Sequence, residues 1–587
     1  MKQNPVRLSI ALIGMALAYF SFSSFGDGVA MSWDAFGYYY YLPLTFLQDS
    51  MIIESLAEVK PIFDQYNPSS TIYQFTPTEG GKYIVLYTMG QALLYLPFFL
   101  LGHVAALIFG YSPDGFAAPY DFAIRLGGVI YHTAGFYFIG RLLLKKYNQK
   151  IVALTLIVLF FGTNALLTLQ LPLNAHGSLI FLLSLVFYFT DKYFEHKNLG
   201  SLMIVAVAFG IACLSRPTDI IAIIPIVLWP WISGKDFKAE WNKLLTDHKK
   251  DLILGVSAVG IIGSLQMIYW KHAGGSFIID SYSNAAEGLD FLSPHTVPFL
   301  FGFKVGWFVY TPLMILVVIY LVAKIIKGDK AMIVIGLYLA LFIYLASSWT
   351  NYWYGGSFSQ RAMVQSYVLL SFVLCGLLNW VASYKPSALR GLGFGIIGLL
   401  CVLNLWQSFQ FTRSVFKPDT MTKEYYFAAF FDGQFDPSKS HLLSIDRYYF
   451  QLNPVQNVPD GYYLFKTLQY PLPENGNLED VDWTVALEKE YQELCPSDHC
   501  WLRMQVEMVE PLKNELILAI NFYNKDGGYH HQLYDIQQGE PSKIDQFYIT
   551  PNVRNQEDKM KTFIWNRSKT VATVKKASLK VYAPIND

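Results

Sequence analysis

From Met1 to about Gln410 the chain is a succession of long apolar runs cut by short polar loops; after Thr412 the long runs stop, and charge, Asn, Gln and Pro return. Such runs predict membrane-spanning helices, because a bilayer core takes about 20 apolar residues to cross. The pattern places spans at about 8–25, 122–143, 151–170, 176–190, 200–214, 218–232, 252–270, 306–323, 331–347, 362–381 and 391–408. Several are short, and 200–214 with 218–232 could be a pair packed inside the bundle. A further apolar segment, Tyr83 to Phe109, is long enough to span as well. In the tail, WLRMQVEMV, ELILAINFYN, KIDQFYITP, KMKTFIWNR and ASLKVYAP alternate apolar and polar residues in strand fashion, with turn signals between them. That period predicts an antiparallel β-sandwich, with helical or irregular structure over 421–480. The expected fold is a polytopic α-helical membrane bundle of about eleven transmembrane helices over 1–410, a connecting segment over 411–480, and a β-sandwich over 481–587.

Whether 83–109 crosses decides the side of everything after it, and lysine and arginine choose. If it stays at the outer interface, eighteen Lys and Arg fall on the cytoplasmic side and seven on the outer side up to residue 410. If it crosses, every later loop swaps sides and the bias reverses, against the positive-inside rule. The segment is therefore expected not to cross. The result is a cytoplasmic N-terminus, a long first outer region over 26–120, and an outer C-terminal domain. Lys2 and Arg7 precede the first apolar run, but no small-residue cleavage site follows it, so an uncleaved first helix is expected.

Composition agrees: 53% hydrophobic, 17% aromatic and only 15% charged, where soluble domains run nearer a quarter charged. A formal net charge of zero argues against a polyanion-binding surface, and no nucleic-acid partner is expected. Cys213, Cys375 and Cys401 lie in apolar runs as buried thiols. Cys495 and Cys500, in CPSDHC, are too far apart for a CxxC redox motif and have no second ligand pair for zinc. A short-loop disulfide is the better reading, and it wants the oxidising side that the charge count gives the tail.

Polar residues near the outer helix ends carry the candidate chemistry. Asp34, in MSWDAFGYYYYLP, could be a general base with a pKa raised by its aromatic walls, or a solvated residue in an interfacial aromatic belt. Glu79, Lys82 and Tyr83 stand in TEGGKY, where the lysine and backbone N–H groups could meet a phosphate; a Gly turn with a snorkelling Lys is the plain alternative. His176 opens an inward-running helix, and a lone His is more often structural. In LSRPTD, Arg216 and Asp219 flank a proline break, which builds either a buried anion site or a tight turn with an internal ion pair. SSWTNYWYGGSFSQR supplies Tyr354, Gln360 and Arg361, aromatic faces for a sugar and a guanidinium for a phosphate. Lys304 and Tyr310 enter the eighth span in FKVGWFVYTPL. All six groups fall on one side of the membrane in a topology derived without them.

An Asp after the first helix followed by Tyr and LP, then GKYIVLYTMGQALLYLPFFLLG, FGTNALLTLQLPLNAHG, LSRPTD, KVGWFVYTPL and WYGGSFSQR, resembles in order the C-superfamily of membrane glycosyltransferases. That family includes the protein O-mannosyltransferases and the aminoarabinose transferases of lipid A. The resemblance implies interfacial helices in the first outer region and a polyprenyl-phosphate-linked sugar donor. It further implies a lipid, glycan or protein acceptor, a bacterial inner membrane, and a periplasmic C-terminal domain. By the same match Asp34 would be the base of a single inverting displacement, with Lys82, Arg216 and Arg361 on the leaving phosphate. Many family members pair two acidic residues in this loop; here Ala35 follows Asp34, so no metal or other cofactor is favoured. The tail resembles jelly-roll carbohydrate-binding domains, with a structural cap or partner-docking domain as the plain alternative. Two alternatives stay open: a surface-polysaccharide polymerase or ligase, and a lipid-carrier flippase or transporter. The internal repeats expected of a transporter are not seen.

Overall fold

The computed structural model describes residues 4–26, 30–48, 51–69, 72–78, 80–171, 173–282, 288–444, 455, 457–478, 481–497, 499–512, 516–524, 527–536, 542–551, 553, 557–566 and 571–585. They form two compact units, one built from 1–282 and 289–443, the other mainly from 444–587. The division falls inside the expected connecting segment. Residues after the last long helix, among them Val415, Phe416, Tyr425 and Tyr426, pack in one apolar cluster with Leu167, Tyr310 and Phe358 of the first unit.

The first unit opens with α1 (Pro5–Ser23), started by an Asn4 side-chain cap on the Val6 N–H. The outer region then folds as α2 (Asp34–Phe46), α3 (Lys60–Tyr66), a small hairpin of β1 (Phe75–Pro77) and β2 (Tyr83–Val85), and α4 (Gly90–Phe109). The bundle continues with α5 (Ala118–Leu143), α6 (Gln149–Phe161), α7 (Ala165–Gln170), α8 (Ala175–His196) and α9 (Leu199–Ser215). A 3-10 turn over Pro217–Ala222 leads into α10 (Ile223–Val227), α11 (Trp229–Ser233), the amphipathic α12 (Phe237–Asp247) and α13 (Lys249–Gly274). Then come α14 (Thr296–Phe301), α15 (Trp307–Tyr310), α16 (Leu313–Ile326), α17 (Lys330–Ser347), α18 (Tyr367–Ala382), α19 (Ser387–Thr412) and α20 (Lys423–Ala428). Seven of these helical segments are long and apolar enough to cross a membrane, with shorter apolar helices between them. Helix α18 is buried nearly throughout, whereas α13 and α19 expose most of their length, as expected of lipid-facing helices.

Three of the expected spans are broken rather than continuous. Gly162 interrupts 151–170 between α6 and α7, 218–232 is divided into the 3-10 turn begun by Pro217, α10 and α11, and Thr311–Pro312 separates α15 from α16. Each break frees backbone groups that the bundle must satisfy from elsewhere. At the third, Asn404 donates to the Tyr310 carbonyl and Gln407 to that of Val309, while Asn164, beside the first, donates to the Gln360 carbonyl.

At 20 residues, α4 is about 30 Å long and could cross by length alone. Its neighbours say otherwise. At its start Gly90 lies against the backbone of Leu214 and Ser215 at the end of α9, and Gln91 donates to Ser178 Oγ at the start of α8. Toward its finish Gly102 abuts Tyr120 and His103 bonds the Tyr120 hydroxyl, at the start of α5. The start of α5 is in turn pinned to the end of α1, where Arg125 donates to Ser21 O and Ser24 Oγ and pairs with Asp121 Oδ2 at 2.8 Å. Both ends of α4 therefore reach the same end of the bundle, the one that also holds Asp34. At the opposite end Lys145 pairs with Asp191 and Glu195, and Lys197 with Glu240.

Among its described residues the second unit is an eight-stranded double sheet. Strands β3 (Tyr462–Gln469), β5 (Trp501–Met508), β8 (Lys543–Ile549) and β10 (Val574–Pro584) form one antiparallel sheet in the order β3-β10-β5-β8. Strands β4 (Leu487–Glu490), β6 (Ile517–Asn524), β7 (Gly527–Asp535) and β9 (Lys559–Trp565) form the other in the order β4-β9-β6-β7. Among the described strands, β6 and β7 are joined as a hairpin and the other connections change sheet, which is jelly-roll topology. Inward residues such as Leu502, Met504, Val506, Leu518, Ile520, Ile564 and Leu579 fill the space between the sheets. The expectation of helix or irregular structure over 421–480 is corrected by β3, an edge strand whose side chains are mostly exposed, so period-two burial does not announce it. Cys495 and Cys500 form a disulfide beside β5, with Cys500 fully buried.

If 83–109 returns to its starting side, Ser112→Cys, at an exposed position after α4, should react with an impermeant thiol reagent from the same side as a tag on the C-terminal unit. Labelling of the two from opposite sides would sink this topology.

Candidate active site

Asp34 is the first residue of α2, where the helix dipole favours a carboxylate. Trp33 before it holds a left-handed conformation (φ 53°) and is fixed by its N–H to Pro68 O, which turns the chain into the helix. Tyr87 is gripped on four sides. Its ring lies on Gly37, where an added Cβ would meet it at 2.5 Å, and stacks on Tyr38 at 4.4 Å between centroids. Its carbonyl accepts from Tyr41, and its hydroxyl donates to Asp34 Oδ1 at 2.8 Å. Tyr73 donates to the same oxygen at 2.8 Å, and Arg361 Nη2 reaches the other oxygen at 3.0 Å. The Asp34 side chain stays 39% exposed and that of Arg361 27%, so the pair is open to a ligand.

Burial pushes the Asp34 carboxyl up, but the Arg361 guanidinium and the Tyr87 and Tyr73 hydroxyls outweigh it and hold the group below the usual carboxylate value. The expectation of a raised pKa is thus corrected: the aromatic loop supplies hydroxyl donors as well as apolar walls.

A second constellation is buried in the adjoining helices. Gln365 Nε2 donates to both oxygens of Asp219, at 3.1 and 2.9 Å. This fixes the amide so that its Oε1 faces His176 Nδ1 at 3.0 Å. Arg216 Nη1 stands 2.7 Å from Nε2 and 3.1 Å from Nδ1; because an amide oxygen only accepts, the Gln365 contact assigns the proton to Nδ1 and leaves the nearer Nε2 to accept from Arg216. Arg216 also lies over the Tyr354 ring, 5.5 Å from its centroid. Among the described residues it forms no ion pair; a neutral imidazole and a phenol ring hold it, and its charge stays uncompensated at close range.

The loop after α17 joins the two halves. Tyr354 (φ 53°) meets His176 edge to face at 6.1 Å, and Gly355 follows at φ 67° close to Arg361. Within the same loop the side-chain amide of Gln360 and Nε of Arg361 are buried without hydrogen-bond partners. Orphaned buried donors cost free energy unless something fills them, so this loop is where a ligand's acceptors would be most strongly held. Tyr282, between Tyr87 and Trp349, extends the aromatic wall.

Of the sequence-derived candidates, Asp34, His176, Arg216, Asp219, Tyr354 and Arg361 are joined in these two linked networks, and Gln360 lies beside them. Lys82 is not brought in: it pairs with Glu54 at 2.9 Å in an exposed position. Tyr83 is engaged through its backbone in β2 and with Ile53. Lys304 sits over the Trp353 ring at 3.5 Å, one residue from Tyr354. Tyr310 is a core residue, bonded to the Phe303 carbonyl and packed on Phe358, Phe416 and Tyr426. Glu79 lies outside the described residues. Sequence reasoning missed Tyr73, Tyr87 and Gln365. The glutamine had a visible signal: a buried amide inside an apolar span, four residues after Arg361. Among the described residues no group of three or more His, Cys, Asp or Glu could hold a metal ion.

Residues 116–262 match the family described as dolichyl-phosphate-mannose-protein mannosyltransferase. The chain is similar to the C-superfamily of membrane glycosyltransferases. The matched stretch contains His176, Arg216 and Asp219; Asp34 and Arg361 lie outside it. Among solved structures, the cryo-EM structure of arabinosyltransferase EmbB from Mycobacterium smegmatis aligns with 78% of this chain at 11% identity and a TM-score of 0.27. This chain spans 57% of that one. No curated protein matches.

Gln365→Leu would leave the buried Asp219 carboxylate without its donor and His176 Nδ1–H without its acceptor. It should lower stability by about 3 kcal/mol, read as a fall in the thermal unfolding midpoint of the purified protein. Lys82→Ala, at an exposed pair, should change stability by less than about 1 kcal/mol. Equal effects of the two substitutions would dissolve the distinction drawn between them.

Proposed function

We propose that this protein is an inverting glycosyltransferase that moves a sugar from a polyprenyl-phosphate donor to a hydroxyl or other nucleophile of a lipid, glycan or protein. The reading places it in a bacterial inner membrane, with the N-terminus cytoplasmic and the jelly-roll unit periplasmic, as the lysine bias supports. The observation that carries it is the contact of Asp34 with Arg361 beside Arg216, a cation that no carboxylate neutralises at close range. In the proposed step the Asp34 carboxylate accepts the proton of the acceptor nucleophile as that atom bonds the anomeric carbon. The bond from that carbon to the phosphate oxygen breaks, and polyprenyl phosphate leaves with one more negative charge. Arg216, Arg361 and the Gln360 amide receive that charge, because charge-assisted bonds strengthen as it develops. Arginines here do the work a cation could do elsewhere, and no metal is written into the step.

In this scheme Asp34 and the donor phosphate compete for Arg361. Asp34→Asn should therefore lower single-turnover rate about 10²–10⁴-fold, as expected when a general base is lost, while donor affinity holds or improves. Arg216→Ala should weaken donor binding alone. Arg361→Ala should weaken it and also move the acid limb of the pH–rate profile upward, since it removes the strongest influence that keeps the Asp34 pKa below 3.8. The sign follows from a depressed pKa: the Asp34–Arg361 pair is complete above the unfolded carboxyl value and lost as pH falls through the folded one. Between pH 5 and 7 the wild-type pair should not titrate. An Asp34→Asn protein that binds donor and turns over normally would remove the base assignment.

A further inference from the structure

At the end of the bundle opposite Asp34 lies a cavity of about 280 Å³, lined by Lys146, Trp231, Ile232, Gly234, Lys235, Asp329 and Lys330. Three helix ends meet there: the segment after α5 brings Lys146, the end of α11 brings Lys235, and the start of α17 brings Lys330. Each ammonium is positioned by an uncharged group. Lys146 donates to the Ile232 carbonyl, Lys235 to the Phe194 carbonyl at 2.7 Å, and Lys330 stands 6.0 Å from the Trp231 ring centroid. Lys235 also forms an ion pair with Glu240 at 3.8 Å, but it shares that carboxylate with Lys197, which engages it more closely. The one carboxylate lining the cavity, Asp329, is occupied in capping α17 through the N–H groups of Ala331 and Met332. Three cations against one carboxylate make the cavity a site for an anion.

The surface beside it says which kind. Lys330, Ile333, Leu337, Ala340 and Tyr344 fall on one exposed stripe of α17, spaced as one helical face. From Ile333 onward it is apolar and leads from the cavity toward the middle of the bundle. A polar cavity continuous with an apolar stripe suits a ligand with an anionic head and hydrocarbon tails, and basic pockets between membrane helices hold lipid headgroups in this way. We propose that the cavity binds the phosphate of an anionic phospholipid in the leaflet opposite the candidate active site, with its chains along α17. Trp231, at the cavity wall, marks the interfacial level where headgroups lie.

Phosphate could also come from solution, and the test separates the two sources. The full-length protein in detergent would be incubated with dioleoylphosphatidylglycerol, dioleoylphosphatidylcholine or inorganic phosphate, and retained adducts counted by native mass spectrometry. One phosphatidylglycerol should remain bound where phosphatidylcholine does not. Lys330→Gln should lower its occupancy several-fold, and Lys330→Gln with Lys235→Gln at least tenfold, while Lys330→Arg keeps it. Lys330 is exposed, so its substitution should leave the unfolding midpoint in place. Arg216→Ala should leave this adduct unchanged, which distinguishes the cavity from the candidate donor site. Equal retention of both lipids, or no loss in the double variant, overturns the proposal. So does displacement of the lipid by millimolar inorganic phosphate, which would assign the cavity to a soluble anion.

Discussion

The rest of this structure depends on one constraint: a charge carried into an apolar bundle must find its partners inside the protein. The bundle meets it twice, in different ways. At the start of α5, Arg125 is buried in a direct ion pair with Asp121 of the same helix, and its donation to the Ser21 carbonyl ties α5 to the end of α1. Beside Asp34 the same problem is solved without pairing. Asp219 is satisfied by Gln365, Gln365 by His176, and His176 by Arg216, so that carboxylate and guanidinium are separated by two neutral groups. Removing one partner of a buried ion pair is strongly destabilising. A relay through neutral groups instead leaves the guanidinium held in place with its charge available to an incoming anion.

The outer region serves the same end by geometry. Helix α4 has the length of a span but both its ends at one face, which leaves α2 and the β1–β2 hairpin above the helix ends that carry His176 and Arg216. Tyr41 and Tyr269, from α2 and α13, meet edge to face and bond the hairpin and its exit at Tyr87 O and Val85 N. Asp34 is therefore held by folded elements on each side of it and not by a free loop.

The sequence disclosed the parts whose physics is local. Long apolar runs named the helices, lysine placement anticipated an α4 with both ends at one end of the bundle, and rare charges at helix ends named most of the residues that the two networks join, because a charge there is improbable without a use. What stayed hidden depended on tertiary context. With 40 tyrosines in the chain, nothing local distinguishes Tyr73 and Tyr87 from the aromatic belt around them. Their hydroxyls matter only because the hairpin turns them toward Asp34. Lys82 misled for the opposite reason: lysine beside two glycines reads as an anion site, yet Glu54, 28 residues earlier, neutralises it. In the jelly roll, β5, β6, β8, β9 and β10 alternate and were legible. Strand β4 has four residues, β3 is an exposed edge and β7 is rich in Gly and His, so none of them carries the pattern.

The depressed pKa of Asp34 first reads as an argument against a base, since a carboxylate stabilised by arginine holds protons weakly. That objection assumes the partner stays. Arg361 is bound to Asp34 through one terminal nitrogen, while its Nε is buried and unpaired and the Gln360 amide beside it is equally unmet. An anion entering this loop therefore gains donors that have nothing else to bond, and it draws guanidinium charge away from the carboxylate as it does so. Weakening that one interaction removes the largest influence holding Asp34 down and leaves burial, which raises its proton affinity, opposed by the Tyr87 and Tyr73 hydroxyls. In the proposed scheme the carboxylate would become a stronger base when the phosphate-bearing ligand is in place and a weaker one when it is absent. On the proposed function, donor binding and base strength are thus coupled through a single side chain, and idle proton abstraction is suppressed by the same contact that keeps the empty site paired.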